Sequence, residues 1–290
     1  MRLSLGILLL AVAGAPLSAQ RVAVDTTIAF QPGGLVAVLT DQGDITIRTG
    51  TTNAVTLRRY GGRGQVRLDA SSGRISVDAS NRGDARVELV VPAGVRVTAR
   101  SMGGDITIRG TGSDVSVHTQ NGDVQVENAA GHVDLTTLSG DITASALKGA
   151  IGASTISGDI ALSDVNGNVT TSSVSGSVTL HRVTSQAVDA NTTSGDLTFD
   201  GGIDPAGRYT LATHSGDVSL TIPANTSAQL TVSTWSGSID SAFPITLQPG
   251  EHDIGLGTSK RFTFVIGGGE ARIRAESFSG DIEIHRGAGR

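Results

Sequence analysis

A glycine followed by Asp or Ser stands at Gly104, Gly122, Gly140, Gly158 and Gly176 with a constant step of 18 residues. The series continues at Gly195, Gly216 and Gly237 with steps of 19, 21 and 21, and reappears at Gly280. A fixed period of this length belongs to stacked units, none of which can bury its own apolar face alone. Counted from each glycine of the four strict units, positions +2, +4, +7, +11, +13 and +16 are apolar in 21 of 24 cases. After Gly140 these are Ile142, Ala144, Leu147, Ile151, Ala153 and Ile156. Their spacing of 2, 3 and 4 residues repeats twice, so each unit is two halves, the second marked by Gly131, Gly149 and Gly167. In each half an apolar, any, apolar triplet puts two side chains on one face of a short strand, and a third apolar residue plugs the corner beyond it.

This pattern predicts an all-β chain wound as a parallel β-solenoid of β-roll or β-helix type, with about 18 to 21 residues per rung. Parallel crossovers almost always take the right hand, so right-handed winding is expected. About a dozen rungs would give a body on the order of 55 Å long. The glycines at Gly104, Gly122, Gly140, Gly158, Gly176, Gly195, Gly216, Gly237 and Gly280 are read as the turn motif. Upstream the intervals lengthen to 30 and 31 residues between Gly43, Gly73 and Gly104, which predicts irregular, partly antiparallel capping rungs. The division is therefore residues 1–19, a capping β region over 20–100, and regular repeats over 101–290. Most aromatics, among them Phe199, Tyr209, Trp235, Phe243, Phe262, Phe264 and Phe278, fall where the unit is longest, and are expected to fill a wider interior.

Arg2, an apolar run from Leu3 to Ala13 and the small-residue stretch through Ala19 have the order of a secretory signal peptide, with cleavage expected after Ala19. No later stretch has the ~18 apolar residues that a membrane helix needs, so no membrane span is expected in the mature chain, which is placed outside the cytoplasm: periplasmic, secreted or on the cell surface. The chain has no cysteine, which removes disulfides, thiolate metal sites and cysteine nucleophiles. A net charge of −5 lacks the basic footprint that nucleic acid demands, and nucleic acid is excluded as a partner.

The residues that could carry chemistry are few. Asp105, Asp123, Asp141 and Asp159 follow consecutive turn glycines and would form a column of carboxylates, resumed at Asp196 and Asp217 after Ser177. Each would cap its own turn through backbone N–H groups. The same four are the candidate Ca²⁺ ligands, because hard cations favour carboxylate oxygens, although the Gly-Gly-x-Gly-x-Asp turn of calcium β-rolls does not occur. His118, His132, His181, His214, His252 and His285 show no metal-pairing spacing and are read as solvated. There is no Gly-x-Ser-x-Gly elbow, phosphate loop or dinucleotide fingerprint, so no catalytic residue and no cofactor is assigned. Arg58, Arg59, Arg63, Arg67 and Arg74 form a modest basic cluster, read as guarding exposed strand edges.

The succession Ser139-Gly140-Asp141-Ile142, Ser157-Gly158-Asp159-Ile160, Ser194-Gly195-Asp196-Leu197, Ser215-Gly216-Asp217-Val218 and Ser279-Gly280-Asp281-Ile282 resembles the bacterial β-strand-repeat family DUF4097, described as adhesin-like. The resemblance spans roughly residues 40 to 290. It implies a β-solenoid at the cell envelope, in some members with a part in envelope-stress signalling, and it carries no catalytic motif. The function expected is that of a non-enzymatic binding or scaffold module whose partner is an envelope glycan or protein. A polysaccharide-acting β-helix enzyme and a calcium-stabilised rod are the alternatives from other classes.

Overall fold

The computed structural model describes residues 22–61, 65–71, 73–80, 85–244 and 260–287, and every regular element among them is a β-strand. The expected leader at 1–19, His252 and Arg63 lie outside the described residues. The architecture is a β-solenoid-like repeat. Strand Val115–Asn121 lies between Arg96–Gly103 and Ala130–Ser139, in parallel with both. The long strand Ile142–Ser157 turns a corner midway. Its first half pairs with Val124–Glu127 and Ile160–Asn166, its second with Ala130–Ser139 and Val169–Ser175.

This register places apolar residues of equal repeat position over one another. Ile106, Val124, Ile142, Ile160, Val178, Leu197 and Val218 form one continuous column, and each is at most 1% exposed. Burial of side chains this size stabilises by about 1.5–3 kcal/mol each, and the column is shared along the whole stack. Where the rung lengthens, Phe199 and Tyr209 fill the added interior edge to face, with ring centroids 5.8 Å apart. The Tyr209 hydroxyl donates to the Ser185 carbonyl and accepts the Asp204 N–H. Burial pushes its pKa up.

Two expectations about the interior are corrected. Position +16 does not face it: Leu138, Ile156 and Val174 are each 48% exposed, as are, nearly to the same degree, Trp235 and Phe278 at 47%. The buried residue is its neighbour at +15, a Thr or Ser, because strand side chains alternate and the glycine turn follows three residues later. The apolar corner plug therefore holds at +7, as in Leu147 and Val165, and fails at +16.

The corner at +6 is turned by a left-handed residue: Asn128, Ala146, Asp164 and Arg182 have φ between 52° and 57°. Asn and Asp tolerate this region, whereas Ala pays about 1–2 kcal/mol there. Ala146→Gly should therefore raise stability by about 0.5–1 kcal/mol after the larger unfolded-state entropy of glycine is counted. The urea midpoint reads this directly, and a lower midpoint for the variant would contradict the assigned corner.

At both ends the spatial order of rungs departs from chain order. Strand Leu35–Gln42 lies between Arg74–Asp78 and Arg96–Gly103, and Ile45–Gly50 lies between Ala85–Pro92 and Ile106–Arg109. At the other end Ala271–Ser279 is seated between Leu197–Ser215 and Ala228–Ser236, and Ile282–Gly287 between Val218–Pro223 and Ile239–Ser241. The Gly280 turn thus stands between those of Gly216 and Gly237. Antiparallel strands cover the outer flanks: Ala54–Gly61 on Ala85–Pro92, Arg67–Ser71 on Arg74–Asp78, and Lys260–Ile266 on Ala228–Ser236. Such strands leave little of the parallel ladder open to foreign chains.

Candidate functional site

The repeat brings three ladders to one corner and the sheet face beside it. The first is the glycine turn. Gly104, Gly122, Gly140, Gly158, Gly176, Gly195, Gly216 and Gly280 have φ between 113° and 159°. Gly237 lacks that φ, but a Cβ on it would lie 2.0 Å from the Gly280 carbonyl oxygen.

The second ladder is acidic. Asp105 Oδ1 accepts the backbone N–H of Asp123, Asp123 that of Asp141, Asp141 that of Asp159, and Asp159 that of Ser177, at 2.7–2.9 Å. The chain of acceptors continues through Asp196, Asp217 and Asp281, the last receiving Ser238 N–H at 2.7 Å. Each carboxylate therefore caps the turn of the neighbouring rung, not its own, because the parallel register sets its oxygen over the next N–H. One oxygen of each proposed calcium ligand is engaged in this way, and no group of three or more His, Asp or Glu able to hold a metal occurs among the described residues.

The Ser238 backbone N–H, its hydroxyl and the Lys260 ammonium hold the Asp281 carboxyl below the usual carboxylate range, and the Ser80 N–H does the same for Asp78. A depressed folded pKa contributes stability above the unfolded value of ~3.9, and that contribution is lost as pH falls through the lower folded value. Urea midpoints should therefore decline on acidification below about pH 4. Asp281→Asn should flatten part of that acid limb without altering the midpoint slope between neutral pH and about pH 6.

The third ladder is of hydroxyls, and it is the feature the repeat count passed over. Thr137, Thr155, Ser173, Thr192, Thr213, Ser277 and Thr234 are buried, and each donates to the carbonyl of a turn glycine on the adjoining rung at 2.8–3.3 Å. The signal was present: an unbroken Ser/Thr column three residues before each turn glycine.

Between the hydroxyl column and the turn, the outward ladder of Leu138, Ile156 and Val174 leads toward His214, Phe278 and Trp235. The rings of His214 and Phe278 stack at 4.7 Å, and those of Trp235 and Phe278 at 5.8 Å, with interplanar angles of 10° and 9°. Neither Trp235 nor Phe278 enters the interior. The remaining histidines are scattered. His118 and His132 are exposed, His181 meets Asp200 at 2.7 Å, and His285 meets Glu283 at 3.1 Å. Of the basic cluster, Arg59 departs from the reading as an edge charge, since it is only 3% exposed, while Arg58 pairs with Asp25.

A candidate cell adhesion protein from Clostridium sporogenes ATCC 15579 is similar at 8% identity and a TM-score of 0.29, over 91% of this chain and 99% of that one. A candidate adhesin from Bacteroides fragilis NCTC 9343 is similar at 10% identity and a TM-score of 0.45, over 90% and 96%. No curated protein matches the chain. The family model described as Toastrack DUF4097 matches residues 36–285, most of the chain, and the chain belongs to that family.

Proposed function

We propose that the chain is a non-enzymatic, adhesin-like binding or scaffold module working outside the cytoplasm, with residues 1–19 as its secretory leader, 20–100 as its cap and 101–290 as the repeating body. Right-handed winding belongs to this reading through the usual hand of parallel crossovers. The observation that carries it is the exposed column of Leu138, Ile156 and Val174, continued past Thr193 by the stacked rings of His214, Phe278 and Trp235 along one side of the stack. Apolar and aromatic groups gathered along one face of a rigid sheet mark an interaction surface, whereas apolar side chains scattered singly do not. Stacked rungs repeat the same contacts at a fixed step, and weak contacts then add through multivalency.

The test is retention of the purified protein on washed bacterial envelope fractions, compared with the Phe278→Ser/Trp235→Ser double variant. Wild type should sediment with the envelopes, and the double variant should lose about tenfold or more of that retention at unchanged thermal stability. Equal retention of the two proteins removes the ladder as the binding surface. Release of reducing sugar from the same fractions would turn the reading toward a polysaccharide-acting enzyme.

A further inference from the structure

Four arginines converge beside the aromatic end of the ladder. Arg208 and Arg272 are direct neighbours on adjacent parallel strands, Arg274 follows two residues along, and Arg261 stands on the flanking antiparallel strand. With Thr210 and Gln229 they line a groove of about 330 Å³. Among the described residues one carboxylate pairs with them, Glu276, held by Arg274 at 2.7 Å and more distantly by Arg261 at 3.9 Å, and Asp189 stands one strand away opposite Thr210. Arg208 and Arg272 have no ion pair among the described residues, though register holds them on strands about 4.8 Å apart. Like charges so placed are tolerated in water and strongly favour a bound anion. In a chain whose net charge is −5, four guanidinium groups against Glu276 and Asp189 form a local field of opposite sign.

Edge protection does not explain them. Arg208, Arg272 and Arg274 sit on strands paired on both sides, so no free edge lies beneath them. The outward row Arg272, Arg274, Glu276 and Phe278 runs along one strand at a spacing of about 7 Å, leading from the arginines to the stacked rings.

We infer that this face binds an acidic polysaccharide, with its carboxylate or phosphate groups on Arg208, Arg272 and Arg274 and its less polar surface along Phe278 and Trp235. The inference rests on the binding-module reading and names the ligand class. Guanidinium forks match both anions bidentately. An acidic peptide would engage a sheet most strongly by pairing its backbone with a free edge, and the strands that carry Arg208, Arg272 and Arg274 offer none. A stiff glycan carries evenly spaced charges at little ordering cost, as a flat and rigid cationic grid requires.

The test is calorimetric titration at low salt with four probes: hexagalacturonate, a phosphodiester-linked hexasaccharide, neutral maltohexaose and hexaglutamate. One of the two anionic polymers of the first pair should bind at least about tenfold more tightly than maltohexaose and hexaglutamate, and weaken as salt rises. Which of the two binds distinguishes carboxylate from phosphate. Arg208→Gln/Arg272→Gln should weaken that binding about tenfold or more with the melting temperature unchanged, while Arg48→Gln on a distant exposed face should leave it intact. The inference is overturned if neither anionic polymer binds, if the double variant binds as wild type does, or if hexaglutamate binds as tightly. Envelope retention that persists without anion binding leaves the module reading standing and removes only the acidic-glycan inference.

Discussion

Gly158→Ala should destabilise the stack by about 3 kcal/mol or more, lowering the melting temperature by roughly 6–12 °C in a chain of this size. Gly158 has φ of 146°, and an added Cβ would lie 2.1 Å from the Gly140 carbonyl oxygen and 2.6 Å from its carbon. Those atoms are backbone of the adjoining rung and cannot rotate aside as a side chain could. Relief requires the two rungs to separate. That would strain the Thr155 hydroxyl bond to the Gly140 carbonyl and the Asp141 bond to the Asp159 N–H. The substitution thus acts on all three ladders at once. Gly73→Ala is the contrast, since a Cβ there meets nothing within 4 Å and only the cost of φ at 85° remains. A melting temperature for Gly158→Ala within a degree or two of wild type would show that the turns are not in close stacking contact.

The second large effect is expected from a chain ended at Gly269. In a simple stack, removal of the last-encoded rung costs only that rung and its one interface. Here the removed strands Ala271–Ser279 and Ile282–Gly287 are interior, each with a parallel partner on both sides. Their loss withdraws buried Ile273, Ile282 and Ile284, worth about 1.5–3 kcal/mol apiece, and leaves Ala228–Ser236 without its parallel neighbour. Against a total stability of about 5–15 kcal/mol, this should expose residues 228–244 to proteolysis while the rungs from Gly104 to Gly195 stay protected. A truncated protein with the wild-type protease pattern would mean that the terminal rung is not clasped in this way.

How much of this was legible depends on whether the determinant was local. The strict repeat exposed the strands and the inward column through Ile142 and Ile160, because two-residue alternation is written directly in the chain. Ile156 misled for the same reason: its spacing from Ile151 and Ala153 imitates Leu147 after Ile142 and Ala144. Only the alternation from buried Thr155 settles its direction, and a buried hydroxyl is invisible to a count of apolar residues. The aspartates were legible as turn caps, but the rung whose N–H they bind is a matter of register between units. Intercalation of the Gly280 turn between those of Gly216 and Gly237 left only a faint trace, the step of 43 residues after Gly237. The basic groove had none, since Arg208 and Arg272 become neighbours only through that intercalation.

The acidic seam has one consequence for the molecule as a moving body. Asp105, Asp123, Asp141, Asp159, Asp196, Asp217 and Asp281 are all exposed along a single corner, whereas Arg208, Arg272, Arg274 and Arg261 gather toward one extremity. Carboxylates repeated rung by rung form a line of negative charge rather than a point, and counter-ions gather along its whole length. A negatively charged wall would be repelled along that whole corner and would meet the molecule on its other faces first.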